Sequence, residues 1–297
     1  MIVQAENLHK TYRRHDALRG SSFGVPQGSA YALIGANGAG KTTTIKVLMN
    51  LIEASSGTAT VLGVDSRKLS IRELAQIGYV SENQQLTGRL SVGQYLDYLR
   101  PFYPTWDRSL EQSVLRELRL PLERKIRDLS HGMRLKMALA CALPFRPKLL
   151  VLDEPFSGLD PLVRDEFMER LLDQAGEMTI LISSHELADI EGVVSDIAFI
   201  DQGRLLFQES MADLSGRVRE VRITFDAEPV LPHPVPEGWT QIAVAGNVLS
   251  FVDTQFSNNR LADIAAALFK GVRNIDVKPI ALRSIFTTLA RTARDGG

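Results

Sequence analysis

The sequence lacks the features that would place it across a membrane or in an oxidising compartment. Its one cysteine, Cys141, cannot form a disulfide within the chain, and we expect it to be a small buried side chain. No apolar run reaches the roughly 18 residues that a membrane-spanning helix needs. Glu6 interrupts the N-terminal segment where a secretory signal peptide would be apolar. We therefore expect a chain that spans no membrane by itself and works in a reducing compartment.

The chain also has little net charge. Lysine and arginine total 34 and aspartate and glutamate total 35, which gives a formal charge of -1. Nucleic-acid-binding domains usually carry a strong basic excess on one face, so no nucleic acid is expected as a partner. The sequence contains no repeat and no long low-complexity tract, and its hydrophobic content of 44% is ordinary for a folded protein.

Short apolar runs alternate with helical segments over residues 1–215, which predicts an α/β domain. Strands are expected at residues 30–34, 149–152, 179–182 and 197–200. A helical subdomain is expected over about residues 88–147, and a further helix over residues 162–174. The dipeptide Gln202-Gly203 predicts a hairpin near the end of this domain.

Residues 216–297 are predicted to form a second, small α+β domain. Apolar residues alternate from Val221, and Gly246-Asn247 separates two further strand-like runs as a hairpin would. Helices are expected near residues 259–269 and from about Leu282. The proline-rich segment 229–239 favours neither a helix nor a central strand.

A glycine-rich segment between a predicted strand and a predicted helix carries the clearest chemistry. GANGAGKT fits the pattern G-x-x-x-x-G-K-[ST], although an ordinary glycine turn can match it too. Glycines let backbone N–H groups approach phosphate oxygens, and the helix N-terminus adds positive potential. Lys41 is predicted to hold the β and γ phosphates, and the Thr42 hydroxyl to ligate Mg²⁺. The predicted phosphate-binding residues are Gly35, Asn37, Gly38, Ala39, Gly40, Lys41, Thr42 and Thr43.

An apolar strand that ends in two acidic residues, LLVLDEP, supplies the other half of such a site. It delivers Asp153 and Glu154 to the carboxyl edge of a parallel sheet, where ligands bind in this fold class. Asp153 is predicted to support Mg²⁺, and Glu154 to act as general base on the water that attacks the γ phosphate. Acidic pairs also cap strand ends without any catalytic role, so this prediction depends on the phosphate loop.

With three further segments, these motifs resemble the nucleotide-binding subunit of an ABC transporter. FSGLDP resembles the family's D-loop and includes Asp160, LISSHE places His185 at the switch histidine, and Tyr12 matches the aromatic residue that stacks on adenine. The resemblance covers roughly residues 1–215. It implies a P-loop NTPase domain with a helical subdomain and an antiparallel β subdomain, which binds ATP and Mg²⁺. Tyr12 as a surface aromatic beside a turn and His185 as a strand-end histidine are the simpler alternatives.

Two segments depart from the family pattern. Glu82 stands in IGYVSENQQL where the family usually has a glutamine that touches Mg²⁺; it keeps an oxygen ligand and adds a negative charge, while Gln84 and Gln85 leave the assignment open. In DLSHGM, His131 and Met133 replace a glycine and a glutamine.

The DLSHGM segment corresponds to the family signature that contacts the γ phosphate bound by the opposite subunit. Ser130 and Gly132 retain the hydroxyl and the unobstructed backbone of that contact. His131 can donate to phosphate and carries charge when protonated. The alternative is a capped helix start that binds no ligand.

Aromatic residues are concentrated in the predicted helical subdomain, where family members meet the membrane subunit. Local packing around two prolines and a groove for that partner are the two explanations. The aromatic residues concerned are Tyr95, Tyr98, Phe102, Tyr103 and Trp106.

The resemblance implies an ATP-hydrolysing subunit that forms a head-to-tail dimer around two ATP molecules. The partner chain is a second copy or a related ATPase subunit, and the dimer drives separate membrane permease subunits from the cytoplasmic face of the membrane. LSHGM and the extra C-terminal domain resemble exporter-type ATPases, which favours export. The alternative is a soluble ABC ATPase that acts on nucleic acid or protein complexes, but the coiled-coil insertion or second nucleotide domain of such proteins is not visible in the sequence.

Overall fold

The computed structural model describes residues 1–82, 84–157, 164, 168, 171, 178–187, 190 and 192–295. The chain divides into two compact units, Met1–Gln208 and Glu209–Gly297. The sequence placed the division after residue 215. The difference arises from a helix, Met211–Arg217, whose Arg217 pairs with Glu209 and donates to the carbonyl of Thr254 in the second unit.

The first unit contains an antiparallel and a mainly parallel sheet. Its strands are β1 (Val3–Tyr12), β2 (His15–Val25), β3 (Ala30–Ile34), β4 (Ser56–Val61), β5 (Val64–Asp65), β6 (Ile77–Ser81), β7 (Leu149–Asp153), β8 (Thr179–Ser184), β9 (Asp196–Asp201) and β10 (Arg204–Ser210), whose last two residues are counted in the second unit. The antiparallel sheet has the order β2-β1-β4-β5, and the second sheet has the order β10-β9-β3-β8-β7-β6. This is the α/β architecture with an antiparallel β subdomain that the sequence predicted.

The described helices of the first unit are short. They are α1 (Lys41–Leu48), α2 (Ile71–Leu74), α3 (Val92–Leu99), α4 (Arg108–Glu117) and α5 (His131–Ala142), with 3-10 turns at Ser66–Lys68, Arg100–Phe102 and Ile126–Asp128. Side chains of Ser91, Asp107 and Ser130 cap α3, α4 and α5 by accepting bonds from backbone N–H groups of the first turn. Of the helix predicted over residues 162–174, the structure describes only residues 164, 168 and 171.

Parallel pairing brings four strand ends to one edge of the second sheet. β6 pairs with β7, β7 with β8, and β8 with β3, and in this register Asp153 lies between Ser81 and Ser183. Every residue of β7 and β8 is buried, as expected for central parallel strands covered on both faces. The four strands predicted from apolar runs are confirmed as β3, β7, β8 and β9.

Short-range signals in the first unit are confirmed as well. Gln202 and Gly203 both have positive φ, 47° and 78°, which is the backbone of the hairpin turn between β9 and β10. Cys141 is buried in α5, and burial raises the pKa of its thiol, so the side chain is a neutral thiol.

The second unit is a small α+β fold, as predicted. Its elements are α6 (Met211–Arg217), β11 (Arg219–Phe225), β12 (Trp239–Ala245), β13 (Val248–Asp253), α7 (Asn258–Leu268), β14 (Val272–Pro279) and α8 (Leu282–Asp295). The antiparallel sheet has the order β12-β13-β11-β14. Its core gathers the alternating residues of β11 with Trp239, Phe251 and Leu261.

Candidate nucleotide-binding site

The glycine-rich loop between β3 and α1 has the backbone that its sequence predicts. Gly38 and Gly40 have φ of 83° and 112°, values that other residues adopt only at a cost. A Cβ atom on Gly35 would lie 2.2 Å from the carbonyl oxygen of Ile200, so a side chain there would collide with the neighbouring strand. No side chain caps α1, which leaves the first N–H groups of the helix for another acceptor, such as a phosphate.

Lys41 is folded back over this loop. Its Nζ donates to the carbonyl oxygens of Gly35 and Ala36 at 2.7 and 3.1 Å, and it lies 2.9 Å from Oε1 of Glu154. The residue is 4% exposed, so the charge lies in a largely dry environment and is compensated by the carboxylate. The loop and the acidic strand end therefore meet at this lysine.

Asp153 is held by two hydroxyl groups. Thr42 donates to its Oδ1 at 3.1 Å, and Ser183 donates to the same oxygen at 2.7 Å. Burial raises the pKa of Asp153 above its ordinary value, and these two hydrogen bonds oppose the rise without cancelling it. The predicted Mg²⁺ ligands Thr42 and Asp153 are thus in contact.

Glu154 lies between two basic groups. Besides the ion pair with Lys41, its Oε2 is 2.8 Å from Nδ1 of His185. Burial acts to raise the pKa of the Glu154 carboxyl, but the hydrogen bonds and charges of Lys41 and His185 prevail and lower it. Glu154 is therefore ionised at neutral pH, as a general base must be before it accepts a proton.

A cavity of about 290 Å³ opens beside these groups, and Glu82 lines it together with Thr42 and Asp153. The remaining lining residues are Lys46, Tyr79, Ser81, Gln84 and Glu154. The three predicted Mg²⁺ ligands therefore share one cavity, and Gln84 shares it too, so the structure keeps the glutamine alternative. Mg²⁺ commonly takes one or two carboxylates together with substrate phosphates, and this donor set of two carboxylates and one hydroxyl fits that ion.

Four residues of this site were not predicted. Lys46 follows Thr42 by one helical turn on α1 and shares a face with this predicted residue, and Tyr79 and Ser81 lie on β6, shortly before the predicted Glu82. Ser183, which binds Asp153, lies two residues before His185 in LISSHE. Their positions next to predicted residues were visible in the sequence. Nothing in the sequence distinguished these residues from ordinary structural ones.

Tyr12 is the last residue of β1, next to the hairpin turn to β2. Its side chain is 44% exposed, and the Lys10 ammonium lies 5.1 Å from the ring centroid. Lys10 is itself held by a hydrogen bond of 2.7 Å to the carbonyl of Glu53. One face of the ring therefore makes a cation–π contact, and the exposed part of the ring suits both stacking and a plain surface role.

The DLSHGM segment forms the start of α5. Ser130 caps the helix by accepting from the N–H of Met133 at 3.3 Å, which leaves its hydroxyl proton available to a further acceptor. His131 Nε2 lies 3.0 Å from the carbonyl oxygen of Ser157. A carbonyl oxygen only accepts, so Nε2 carries the proton and donates it. Gly132 follows in the first turn of the helix.

His131 also lines a larger cavity of about 590 Å³. Charged residues of this cavity are Glu82, Arg127 and Arg134, and Gln84 and Gln85 line it as well. The segments after β6 and before α5 therefore border one space. Asp160, the remaining predicted contact to nucleotide, lies outside the described residues.

The aromatic residues of the helical subdomain fall into two groups. Tyr103 stacks on Phe145 with 4.1 Å between ring centroids, and the Trp106 indole N–H donates to Glu111 at 2.6 Å, so local packing explains both. Tyr98 and Phe102 contact each other edge to face at 5.4 Å but are 58% and 59% exposed.

A glycine loop joins a strand to a helix here, and the lysine and threonine of that helix meet an acidic pair at the end of another parallel strand of the same sheet. This arrangement defines a P-loop NTPase. The family described as "ABC transporter" matches residues 18–157. The uncharacterized ABC transporter ATP-binding protein YcbN of Bacillus subtilis is 35% identical over 225 residues, which are 74% of this chain and 73% of that protein. The chain belongs to the ATP-binding proteins of ABC transporters, as the motifs predicted.

Two further comparisons agree with this assignment. The lantibiotic transport ATP-binding protein SrtF of Streptococcus pyogenes is 33% identical over 211 residues, which are 70% of this chain and 90% of that protein. A solved structure described as the ATP binding subunit of an ABC transporter superposes with a TM-score of 0.66 at 30% identity, covering 73% of this chain and 92% of that one. In the described part of this chain, none of the helices combines the length and apolar character that crossing a bilayer demands.

Proposed function

We propose that this chain binds ATP with Mg²⁺, hydrolyses it, and supplies the free energy to separate membrane permease subunits. The observation that carries the proposal is the contact of Lys41 and His185 with one carboxylate, Glu154, beside the pair of Thr42 and Asp153. Lys41 and Thr42 begin α1 after the glycine loop, and the other three residues lie at or directly after the ends of two neighbouring parallel strands. Together they offer a phosphate-binding cation, a metal site and a base at one edge of the sheet.

The residues of the glycine loop would bind the phosphates. Lys41 would exchange its contact with Glu154 for the β and γ phosphates, because both anions compete for one ammonium group. Glu154 would then be available to accept a proton from the attacking water, with His185 holding its other oxygen. Thr42, Asp153 and Glu82 would hold Mg²⁺, which when bound neutralises charge that develops on the phosphates.

The second part of each site would come from another chain. Ser130, His131 and Gly132 lie at a helix start, where N–H groups and a hydroxyl suit a γ phosphate presented from outside the chain. We propose a head-to-tail dimer of two copies, or of this chain with a related subunit, in which Tyr12 stacks on adenine and Asp160 approaches the nucleotide. Closure on ATP and opening after hydrolysis would drive the permease.

Export is the direction that we propose. SrtF is named for lantibiotic transport, which supports a transport role for this chain as well. The direction itself rests on the resemblance of LSHGM and the extra C-terminal unit to exporter-type ATPases. The exposed pair Tyr98 and Phe102 is the candidate contact with the permease, which would hold the chain at the cytoplasmic face of the membrane.

The test of this function separates binding from turnover. Glu154→Gln keeps the shape of the side chain but cannot act as a base, so it should bind ATP and lose most of its hydrolysis. Lys41→Ala should instead lose affinity for ATP, because it removes the phosphate-binding cation. Equilibrium binding and phosphate release, measured on both purified variants, check the two roles, and wild-type hydrolysis by Glu154→Gln would refute the assignment of the base.

Purification of the chain with its partner separates transport from the alternative. A membrane permease that copurifies and stimulates hydrolysis supports the transport function. Stimulation by nucleic acid, in the absence of any permease, would instead support a soluble ABC ATPase.

A further inference from the structure

Ser183 is a buried hydroxyl that joins the two acidic residues of the candidate site. It lies near the end of β8, directly opposite Asp153 of β7 in the parallel register, and is 0% exposed. Its Oγ donates to Oδ1 of Asp153 at 2.7 Å and accepts the backbone N–H of Glu154 at 3.0 Å. One side chain therefore contacts consecutive residues that the proposed function places in different roles.

The direction of these hydrogen bonds is determined by their partners. The amide of Glu154 can only donate, so the Ser183 oxygen accepts there and its single proton is left for the Asp153 carboxylate. Consecutive hydrogen bonds polarise one another, and the Ser183 hydroxyl, as a donor, stabilises the ionised form of the Asp153 carboxylate. Thr42 donates to the same oxygen, so Asp153 is held from the glycine loop and from β8.

The second contact acts on the backbone. Glu154 has φ of +50°, in the left-handed region that residues other than glycine seldom adopt. Ser183 accepts the hydrogen bond of the Glu154 N–H at this turn of the backbone. The turn directs the Glu154 carboxylate between Lys41 and His185. A backbone outside its preferred region persists where surrounding bonds determine it, and the Ser183 hydroxyl supplies one of them.

We propose that Ser183 is a positioning residue for hydrolysis: its one hydroxyl orients the Asp153 carboxylate for the metal and holds the Glu154 backbone so that the base points at the attacking water. The proposal rests on the roles that the proposed function gives to Asp153 and Glu154. It adds a buried residue that acts through the Asp153 carboxylate and the Glu154 backbone.

Substitutions at residue 183 of the full chain separate the hydroxyl from the space that it fills. Ser183→Ala removes the hydroxyl, Ser183→Thr keeps it, and Ser183→Val has the shape of threonine without it. We expect Ser183→Ala and Ser183→Val to lower kcat by about 10- to 100-fold, the range for losing a supporting hydrogen bond next to a metal-binding residue. Ser183→Thr should recover most of the activity, because the donor and the acceptor are restored.

Two measurements besides turnover accompany kcat. The affinity for ATP in the presence of EDTA should equal that of the wild type in all three variants, because the glycine loop and Lys41 are unchanged. Thermal melting reports folding. Ser183→Thr and Ser183→Val have similar side-chain volumes, so both should fold, and Ser183→Val should melt at the lower temperature because it leaves the partners of the hydroxyl unpaired. Ser184→Ala, which removes an equally buried hydroxyl bonded to the backbone of Glu186, is the matched control and should keep the wild-type kcat.

The outcomes separate this proposal from the function on which it rests. Wild-type kcat in Ser183→Ala, or a Ser183→Thr variant as slow as Ser183→Val, would overturn the positioning role. Glu154→Gln is measured in parallel. If Glu154→Gln is inactive and Ser183→Ala is normal, only the role of Ser183 fails. If Glu154→Gln hydrolyses ATP as the wild type does, the proposed function fails at the base.

Discussion

At the scale of single residues, His131 shows how a hydrogen bond limits what a side chain can do. The neutral imidazole has one N–H group, and the carbonyl of Ser157 takes it at Nε2. Nδ1 then carries a lone pair and can only accept a hydrogen bond, so it would repel a phosphate oxygen. Only the protonated ring can keep the bond to Ser157 and also donate to a phosphate of another subunit.

This restriction predicts that the charge of residue 131 matters. If His131 assists phosphate binding as a cation, His131→Lys should keep much of the kcat/KM for ATP, because it also carries a positive charge, and His131→Gly should lower it. His131→Asn is the neutral control that still offers an N–H group, and it should resemble His131→Gly. Equal kcat/KM in His131→Lys and His131→Asn would exclude the cationic role.

The positions of single residues were predictable where a motif has fixed spacing. Lys41, Thr42, Asp153 and Glu154 lie together at one sheet edge, because parallel strands deliver their C-terminal ends together. Their partners were not predictable. The bond from His131 to Ser157 depends on how two loops meet in space.

At the scale of elements, the Arg100 and Glu111 pair joins the 3-10 turn after α3 to α4. Arg100 donates to both carboxylate oxygens of Glu111, at 2.7 and 2.5 Å, and the Trp106 indole adds a third bond at 2.6 Å. Glu111 is buried, which alone would raise its pKa, but these bonds lower it below its ordinary value of 4.5. The turn carries Phe102, which forms the exposed aromatic pair of the helical subdomain with Tyr98.

We expect Glu111→Gln to lower the free energy of unfolding by about 2 to 3 kcal/mol at neutral pH, because Arg100 loses a charged partner. A carboxyl whose pKa is lower in the folded chain stabilises the fold above its ordinary pKa, and that contribution is lost as the pH falls below about 4.5 and through the folded value. The difference between the two proteins should therefore shrink at acid pH.

Urea denaturation at several pH values checks this result. Glu123→Gln, an exposed substitution of the same kind, should change the free energy of unfolding by no more than about 0.5 kcal/mol. A constant difference between Glu111→Gln and the wild type from pH 7 to acid pH would show that ionisation of Glu111 contributes nothing.

Elements were predictable where the apolar period was regular. The buried strands β7 and β8 and the hairpin of β12 and β13 are confirmed, because runs of apolar residues and a Gly-Asn turn have few alternative structures. The end of the first unit was harder to predict. Ser210 starts a helix by capping it, and the contacts that assign this helix to the second unit, from Arg217 to Glu209 and Thr254, are visible only in the fold.

At the scale of the whole molecule, the proposed dimer makes each ATP site from two chains. Lys41 belongs to the half-site that would bind phosphate, and Ser130 caps α5 in the half-site that would meet a partner's phosphate. In a head-to-tail dimer with twofold symmetry, each site contains Lys41 of one copy and Ser130 of the other. Variants of these two residues should therefore complement each other.

We expect Lys41→Ala and Ser130→Ala to be weakly active alone and to regain hydrolysis when mixed. Each mixed dimer pairs the intact loop of the Ser130→Ala chain with the intact signature of the Lys41→Ala chain, which restores one complete site in about half of the dimers under random pairing. Phosphate release from the mixture, with permease present if the isolated chains do not associate, measures this recovery. The control mixes Lys41→Ala with a chain carrying both substitutions, which can form no complete site. Recovery in the first mixture alone establishes shared sites, whereas equal activity in the two mixtures would mean that each chain builds its ATP site by itself.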